Sequence, residues 1–483
     1  MIDLRPVLYV VGLLLAAVAA AMLLPLAVDA VDGNPDWQVF AVAAALTGFV
    51  GVSITLTCHS GRPFDMDIRQ AFLLTTLAWV AMACFAALPF MFIARGLDYA
   101  DAFFEAISGL TTTGSTVLEK LESLPRGVLL WRSLLQWIGG VGIVVMAIII
   151  LPFLRVGGMQ LFRTESSDRS EKVAPRPGEF VGYIAITYLV ISSLCALAYW
   201  LAGMSGFDAV NHAMTTIATG GYSTHDASMG HFREPSIHWI GTLFMLAGAL
   251  PFTTYIRTVQ GRDMPIWRDS QVRAYVFILA GVIVATGLWI WRAFQMPFEA
   301  AMRHAAFNIV SVATTTGYAT TDYQLWGAPV VGLFFILLFV GGCTGSTAGG
   351  IKMFRFQILW SMTRIYLALL LRPHRIVVLR YQGRRVPDDV PYSVLAFLVA
   401  YAGTVGVLTL GLTASGLDLV TALTGAAQAV SNVGPGLGAV IGPAGNFASL
   451  SDTAKWLLSF GMLLGRLELF TVLVLLQRSF WRW

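Results

Sequence analysis

The chain has 483 residues, of which 57% are hydrophobic and only 12% are charged, and its formal net charge is +4. Soluble globular domains carry about 25% charged residues, so this composition excludes a soluble protein and indicates a polytopic membrane protein. The basic residues stand in clusters between apolar segments rather than in one stripe, so we expect no nucleic-acid partner and a lipid bilayer as the surroundings.

Apolar runs long enough to cross a bilayer, which takes about 20 residues, predict ten membrane-spanning segments. Arg5 and the first run together could be read as a signal peptide, but the length of the run favours a retained helix. In chain order the runs are 7–28, 37–57, 70–94, 128–154, 180–203, 236–258, 272–294, 327–341 continuing to 351–371, 391–414 and 453–477.

The loops between these runs alternate in charge. The loops at 59–69, 155–176, 257–273 and 372–385 are rich in arginine, and those on the other side hold most of the aspartates. Cytoplasmic loops of membrane proteins carry the excess of lysine and arginine. We therefore expect both termini in the cytoplasm and a multi-pass protein of the bacterial inner membrane.

Four further apolar segments are too short to span a bilayer, and each lies on the outer side between two spans. Each ends in a polar turn that contains glycine, which is typical of a re-entrant helix. The segments are 99–111, 207–218, 299–314 and 418–430, and their turns read TTTGST (111–116), ATGGYST (218–224), TTTGYAT (314–320) and SNVGPGL (431–437).

The four turns share one register, which indicates an internal repeat. An alanine stands twelve residues before the glycine in every copy, and a threonine stands two residues before it except in the last, which has Asn432. A single turn of this kind most often caps a helix, but four in register favour a shared function. The glycines are Gly114, Gly221, Gly317 and Gly434, and the alanines are Ala102, Ala209, Ala305 and Ala422.

Non-helical backbone at membrane depth is tolerated only where protein buries it or where it lines a water-filled cavity. Four equivalent turns can surround one axis and direct their carbonyl oxygens inward, where they replace the hydration shell of a cation. The short helices would also direct their partially negative C-terminal ends toward the cavity below. The repeat therefore predicts an ion filter.

At these turns the sequence resembles the TrkH/TrkG family of bacterial potassium-uptake proteins, whose superfamily includes KtrB and the plant HKT transporters. The resemblance covers nearly the whole chain. It implies an all-α fold of four helix–pore loop–helix repeats in pseudo-fourfold symmetry around one pore, with an extra N-terminal helical pair. It also implies K⁺ as the transported ion, a homodimer, and a cytosolic TrkA-type nucleotide-binding subunit; we expect no organic cofactor in this chain.

The resemblance assigns the filter to three residues of each turn. The glycine at position 114 favours potassium, because relatives with serine there tend to conduct sodium, and SNVGPG in the fourth turn departs most from the family pattern. The implied filter residues are Thr112, Thr113 and Gly114; Thr219, Gly220 and Gly221; Thr315, Thr316 and Gly317; and Asn432, Val433 and Gly434.

The stretch VGGCTGSTAGGIKMFR, from residue 340 to residue 355, interrupts the second helix of the third repeat. A phosphate-binding loop needs G-x-x-x-x-G-K-[ST], which is absent here. A plain helix kink is the stronger alternative. The resemblance implies a gating loop beneath the filter, with Gly341, Gly342, Thr344, Gly345, Ser346, Thr347, Gly349, Gly350 and Lys352 as its residues.

Arg466 stands at the middle of the apolar run 456–476. An arginine at mid-bilayer costs at least about 2.5 kcal/mol, and such residues usually face the protein interior. A structural pairing with another helix is one interpretation. The resemblance implies a second one, in which Arg466 projects into the pore, bonds the glycine-rich loop and repels cations.

These features divide the chain into an N-terminal helix pair (1–60) and four pore repeats (61–155, 156–262, 263–385 and 386–483), the third holding the broken helix and the gating loop. The predicted function is potassium uptake through a single filter, as the membrane subunit of a Trk-type system. Two alternatives remain: a secondary transporter of another cation such as Na⁺, and an intramembrane enzyme. The sequence shows no catalytic constellation for the enzyme.

Overall fold

The computed structural model describes residues 2–60, 66–93, 96–150, 154, 158–159, 177–259, 266–375 and 377–482. These residues are mostly helical. The one sheet among them is a hairpin that pairs Arg380–Tyr381 with Arg384–Arg385. Its two turn residues, Gln382 and Gly383, both have positive φ, as a two-residue hairpin turn requires. Most of the predicted loop at 155–176 lies outside the described residues.

Within the described residues, seven helices are long and apolar enough to cross a membrane, and two bent helix pairs raise the number to nine at most. The remaining predicted span is divided into Ala328–Leu337 and Met353–Leu371. The seven are Arg5–Val31, Trp37–Cys58, Ile68–Phe92, Arg126–Ile148, Val181–Leu201, Ser270–Ala293 and Asp389–Ala414. Large apolar side chains such as Phe49 and Phe277 stand exposed on them, which fits a lipid-facing surface.

The predicted spans 236–258 and 453–477 are each sharply bent rather than straight. Pro235–Gly248 and Phe252–Val259 meet at 91°, with Pro251 between them. Proline lacks the N–H group that would continue the helix. Asp452–Arg466 and Phe470–Leu476 meet at 106°.

The four short segments form the helices Tyr99–Leu110, Gly206–Ile217, Phe298–Ala313 and Leu419–Ser431, here called short helices 1 to 4. Asp98, Ser205 and Asp418 cap the N-termini of short helices 1, 2 and 4 through backbone N–H groups, which fixes where these helices begin. The four alanines of the predicted register are buried in them. We call the face of the molecule that holds these N-termini the short-helix side.

The N-terminal helices pack against each other and against the first repeat. A Cβ atom at Gly12 would lie 2.7 Å from the carbonyl oxygen of Gly51, so the helices Arg5–Ala21 and Trp37–Cys58 cross in close backbone contact. Asp29 is fully buried and accepts a hydrogen bond from Gly127 N at 2.7 Å. A carboxylate at this helix N-terminus is favourable, and it joins the extra pair to repeat 1.

Candidate ion pathway

The four predicted turns meet in a closed ring. A Cβ atom on Gly221 would lie 1.9 Å from the carbonyl oxygen of Thr316, and one on Gly317 would lie 2.1 Å from that of Val433. The other two pairs around the ring are Gly114 with Gly220 at 2.1 Å and Gly434 with Thr113 at 2.8 Å. Each glycine thus lies against the backbone of the next repeat, and the fourth repeat closes on the first.

The backbone of the four turns follows one pattern. The glycine and the residue two positions before it have positive φ in every copy, whereas the residue between them does not. Alternation between positive and negative φ lets the carbonyl oxygens of neighbouring residues point to the same side of the backbone, as an ion-coordinating ring requires. The left-handed residues are Thr112, Thr219, Thr315 and Asn432, with φ of 51°, 51°, 57° and 57°.

Equivalent backbone hydrogen bonds join each turn to its short helix. The residue before the glycine donates to the carbonyl oxygen of the residue five positions earlier. These bonds satisfy carbonyl groups that the end of a helix leaves free. The four pairs are Thr113 with Ser108, Gly220 with Thr215, Thr316 with Ser311, and Val433 with Gln428, at 2.8 to 3.1 Å.

The residue after the glycine of each turn contacts the preceding repeat. Ser115 Oγ donates to the carbonyl oxygen of Gly434 at 2.9 Å, and Tyr222 OH donates to that of Ser115 at 3.1 Å. Tyr318 OH donates to the carbonyl oxygen of His212 at 3.3 Å. A Cβ atom on Gly317 would lie 2.9 Å from Pro435 Cδ. These contacts brace the ring on its short-helix side in all four copies.

A buried ion pair that the sequence analysis did not single out supports the first two turns. Arg132 Nε lies 2.7 Å from Glu105 Oε1, and both side chains are almost completely buried. The guanidinium also donates to the carbonyl oxygen of Ser223 at 2.9 Å and lies over the Tyr222 ring at 4.1 Å. The available signal was a glutamate within an apolar short helix, since buried charges are normally paired.

Replacing Glu105 with glutamine leaves Arg132 buried without a countercharge. Removing one partner of a buried ion pair typically costs about 3–5 kcal/mol, because the remaining charge stays buried without compensation. We expect E105Q to lower the thermal unfolding midpoint in detergent and to reduce discrimination between rubidium and sodium in liposomes. The exposed pair Arg385–Asp388 supplies the matched control, since D388N removes a carboxylate of little energetic value. Equal thermal stability of E105Q and D388N would contradict a supporting role of the Arg132–Glu105 pair.

An open depression lies over the ring on the short-helix side. The glycines of all four turns line it, together with the loop residues Leu121, His225 and Asp226. The depression therefore connects the ring to the short-helix side of the molecule. We call it the vestibule.

The glycine-rich segment lies against the opposite side of the ring. Gly349 N donates to Thr315 Oγ1 at 2.6 Å, and Thr219 Oγ1 donates to Thr347 Oγ1 at 3.2 Å. A Cβ atom on Gly349 would lie 2.3 Å from the carbonyl oxygen of Ser431. The segment thus contacts the turns of repeats 2, 3 and 4 from below.

The segment is a loop rather than a kink. The helix Ala328–Leu337 ends well before Met353, and Val340 pairs with Ile351 in an isolated parallel bridge. The loop contains the predicted residues Gly341, Gly342, Thr344, Gly345, Ser346, Thr347, Gly349, Gly350 and Lys352, all but Gly350 buried.

The bend at Pro251 supplies hydrogen bonds to this loop. Cys343 N donates to the carbonyl oxygen of Ala249 at 3.0 Å, and Phe252 N donates to that of Gly345 at 2.9 Å. These are groups that a continuous helix would have used internally. The bend in repeat 2 and the loop of repeat 3 therefore hold each other in place.

Arg466 reaches the loop from repeat 4. Its Nη1 donates to the carbonyl oxygen of Thr347 at 2.9 Å, and Nη2 lies 3.5 Å from that of Gly139. The side chain is 3% exposed. No ion pair joins Arg466 to a carboxylate among the residues that the structure describes. The positive charge beneath the ring therefore has no direct counterion there.

Another ion pair lies at the break that follows Arg466 in its helix. Arg355 Nη2 lies 2.6 Å from Glu468 Oε2, and Arg355 also lies over the Phe397 ring at 3.7 Å. Lys352 donates to the carbonyl oxygen of Ala348. The helix ends at Arg466, in the middle of the apolar run, and both Glu468 and Leu469 have positive φ.

Four short helices whose turns meet in one ring, each followed by a second helix, define a polytopic membrane protein with four pore-loop repeats around a single pore. The predicted fold class is confirmed. The family model of TrkH, a cation transport protein, matches residues 37–481. The chain belongs to the TrkH family, which confirms the resemblance and a transport protein rather than an enzyme.

Individual relatives cover the chain along its length. The Trk system potassium uptake protein TrkI of Halomonas elongata is 49% identical over 479 residues, covering 99% of this chain and 97% of the relative. TrkH of Escherichia coli is 37% identical over 489 residues, covering 99% of each chain. The crystal structure of the potassium transporter TrkH from Vibrio parahaemolyticus matches with a TM-score of 0.91 at 35% identity, over 100% of both chains.

Proposed function

We propose that the chain takes up potassium ions across the bacterial cytoplasmic membrane through one filter. The observation that carries this proposal is the closed ring, in which each filter glycine lies against a backbone carbonyl of the next repeat. Carbonyl rings replace the water shell of a desolvated cation. The names of the relatives as potassium uptake proteins support K⁺ as the ion.

In this proposal the coordinating groups are main-chain carbonyls of the four turns, and the threonine hydroxyls contribute to their support. Thr111 Oγ1 lies 2.7 Å from Thr113 Oγ1, and Thr314 Oγ1 lies 2.8 Å from Thr316 Oγ1. Asn432 Nδ2 donates to Thr113 Oγ1 at 2.9 Å. The fourth turn, which departs most from the pattern, is thereby joined to the first.

The loop at 341–350 and Arg466 form the gate of the proposed pathway. The loop makes contact beneath three of the four turns, and the buried arginine places a positive charge where a cation would leave the filter. Both features oppose passage, which supports interpreting this conformation as closed. Opening would require the loop to leave Thr315 and Thr219 and the guanidinium to leave Thr347.

The proposal includes the division into a helix pair (1–60) and four repeats (61–155, 156–262, 263–385 and 386–483). The positive-inside rule supports both termini in the cytoplasm, which places the short-helix side outside. A homodimer and a cytosolic TrkA-type partner complete the proposed Trk-type system, since this chain shows no nucleotide-binding motif.

Rubidium uptake into liposomes that contain the purified chain tests the proposal, with sodium uptake measured in parallel. We expect rubidium to enter faster than sodium, and unlabelled potassium to compete. Growth of potassium-uptake-deficient bacteria on low potassium provides the test in cells. Equal rubidium and sodium fluxes would contradict potassium selectivity and favour the alternative of a transporter for another cation.

The glycines of the loop provide a prediction specific to the gate. A Cβ atom on Gly349 meets the Ser431 carbonyl oxygen at 2.3 Å, so G349A displaces the loop from the ring without changing a filter residue. We expect faster rubidium uptake with an unchanged ratio of rubidium to sodium. Gly332 has open space around its Cβ position, and G332A is therefore the control. A changed ion ratio in G349A would argue against a gating role.

A further inference from the structure

Three potential metal ligands converge on the short-helix side, outside the ring. Glu122, His225 and His231 each offer one ligand atom, and these atoms lie within 4.8 Å of one another. Glu122 comes from the loop after the turn of repeat 1, and the two histidines come from the loop after the turn of repeat 2. His225 also lines the vestibule.

His225 has the environment of a metal-binding histidine. Its two ring nitrogens are sealed from solvent, and each faces a carboxylate. Nδ1 lies 3.4 Å from Glu122 Oε1, and Nε2 lies 3.5 Å from Asp208 Oδ1. Histidines that bind metals commonly direct their second nitrogen to a carboxylate, which fixes the orientation of the ring. Asp208 is in place for that role.

The other two ligands are positioned by the same loops. The His231 ring stacks on the His225 ring, with centroids 3.6 Å apart and planes 3° from parallel. Glu122 Oε1 accepts a hydrogen bond from Asp226 N at 3.1 Å, and Leu121 N donates to Asp226 Oδ1 at 3.0 Å. The loops of repeats 1 and 2 are thus already joined beside the cluster.

The donor set of two imidazoles and one carboxylate suits a borderline divalent ion. Zinc binds nitrogen and carboxylate oxygen at about 2.0–2.2 Å, so its ligand atoms stand about 3.4 Å apart in a tetrahedron. Binding of one ion also requires the exposed His231 side chain to rotate out of its stack on His225, because two parallel rings cannot direct their nitrogen lone pairs to one point. Alkali and alkaline-earth cations prefer sites made wholly of oxygen.

We propose that Glu122, His225 and His231 bind a zinc-type divalent metal ion on the short-helix side, and that the bound ion slows ion passage through the vestibule. The carboxylate of Asp208 also lies beside His225, so the site favours positive charge. A metal ion supplies that charge and ties repeat 1 to repeat 2. The effect on flux rests on the proposed function, whereas the binding does not.

Calorimetric titration of the full-length chain in detergent with zinc chloride tests the binding. We expect one ion per chain and at least a tenfold weaker affinity in H231Q, because one of three ligands is lost. His374, exposed after the helix Met353–Leu371, gives the matched control H374Q with unchanged affinity. Equal zinc affinity in H231Q and the unsubstituted chain would overturn the site.

Rubidium influx into liposomes tests whether the bound ion slows ion passage, with zinc added outside and a chelator inside. We expect zinc to lower influx severalfold in the unsubstituted chain and in H374Q, chelation to restore it, and H231Q to resist zinc while keeping its metal-free influx. Influx insensitive to zinc in the unsubstituted chain would overturn the regulatory role. Absence of any rubidium influx without zinc would instead contradict the proposed function, and the titration would still decide the metal site.

Discussion

Replacing Arg466 with alanine is expected to produce a constant leak of rubidium through the membrane protein. The guanidinium is buried, donates to Thr347 in the loop, and has no direct counterion in the part of the chain that the structure describes. Its removal takes away both a bond that holds the loop and a charge that repels cations. A hydrogen bond to a charged group contributes about 1.5–3 kcal/mol. Since about 1.4 kcal/mol corresponds to a tenfold change in an equilibrium, we expect at least about a tenfold rise in flux.

Two further variants separate the two contributions of Arg466. R466K keeps the positive charge but loses the planar fork that reaches both Thr347 and Gly139, so we expect an intermediate flux. R364A removes an exposed arginine from the helix Met353–Leu371 and is the control for a general charge effect. An unchanged or reduced flux in R466A would remove this residue from the gate.

The register of the four turns could be predicted from the sequence because it depends on local chemistry. A short apolar helix, a capping residue at its start and a glycine at its end leave few alternatives, and the repeat places all four copies at the same depth. The structure describes short helices at 99–110, 206–217, 298–313 and 419–431, within a residue or so of the predicted ranges. The sequence of one turn does not determine the contacts between repeats, such as the contact of Gly221 with Thr316.

The bends could not be predicted from periodicity, since their causes are distant in the chain. Hydropathy continues unbroken across Arg466, yet the helix ends there, and Glu468 two residues later forms an ion pair with the distant Arg355. Pro251 was a local signal, but a proline also occurs in helices that bend only slightly. Its full consequence needs the loop at 341–350, which binds the freed backbone groups.

The left-handed threonines were also outside the reach of sequence reasoning. A β-branched residue with positive φ is a conformational outlier, and such strain occurs where the surrounding structure enforces it. Thr112, Thr219 and Thr315 adopt this conformation in equivalent positions. Asparagine tolerates it better, so Asn432, which looked like the exception, occupies the same backbone position with less strain.

The largest loss of flux is expected from alanine at Gly221. Its φ is +78°, a conformation that costs an alanine about 1–2 kcal/mol. The added Cβ atom would also lie 1.9 Å from the Thr316 carbonyl oxygen, and that oxygen belongs to the ring itself. Relief of this clash requires one of the two backbones to move, which changes the ring. We therefore expect rubidium uptake to fall at least about a hundredfold, equivalent to about 2.8 kcal/mol.

The control for this loss is alanine at Gly281, in the spanning helix Ser270–Ala293, where nothing lies within 4 Å of the Cβ position. Alanine favours a helix by about 1 kcal/mol over glycine, so G281A keeps or raises stability and keeps the flux. Size-exclusion chromatography and thermal unfolding of both variants separate a damaged filter from an unfolded protein. If G221A is folded and still conducts rubidium at the unsubstituted rate, the ring is not the ion pathway, because a clash of this size cannot leave the four turns in their present arrangement.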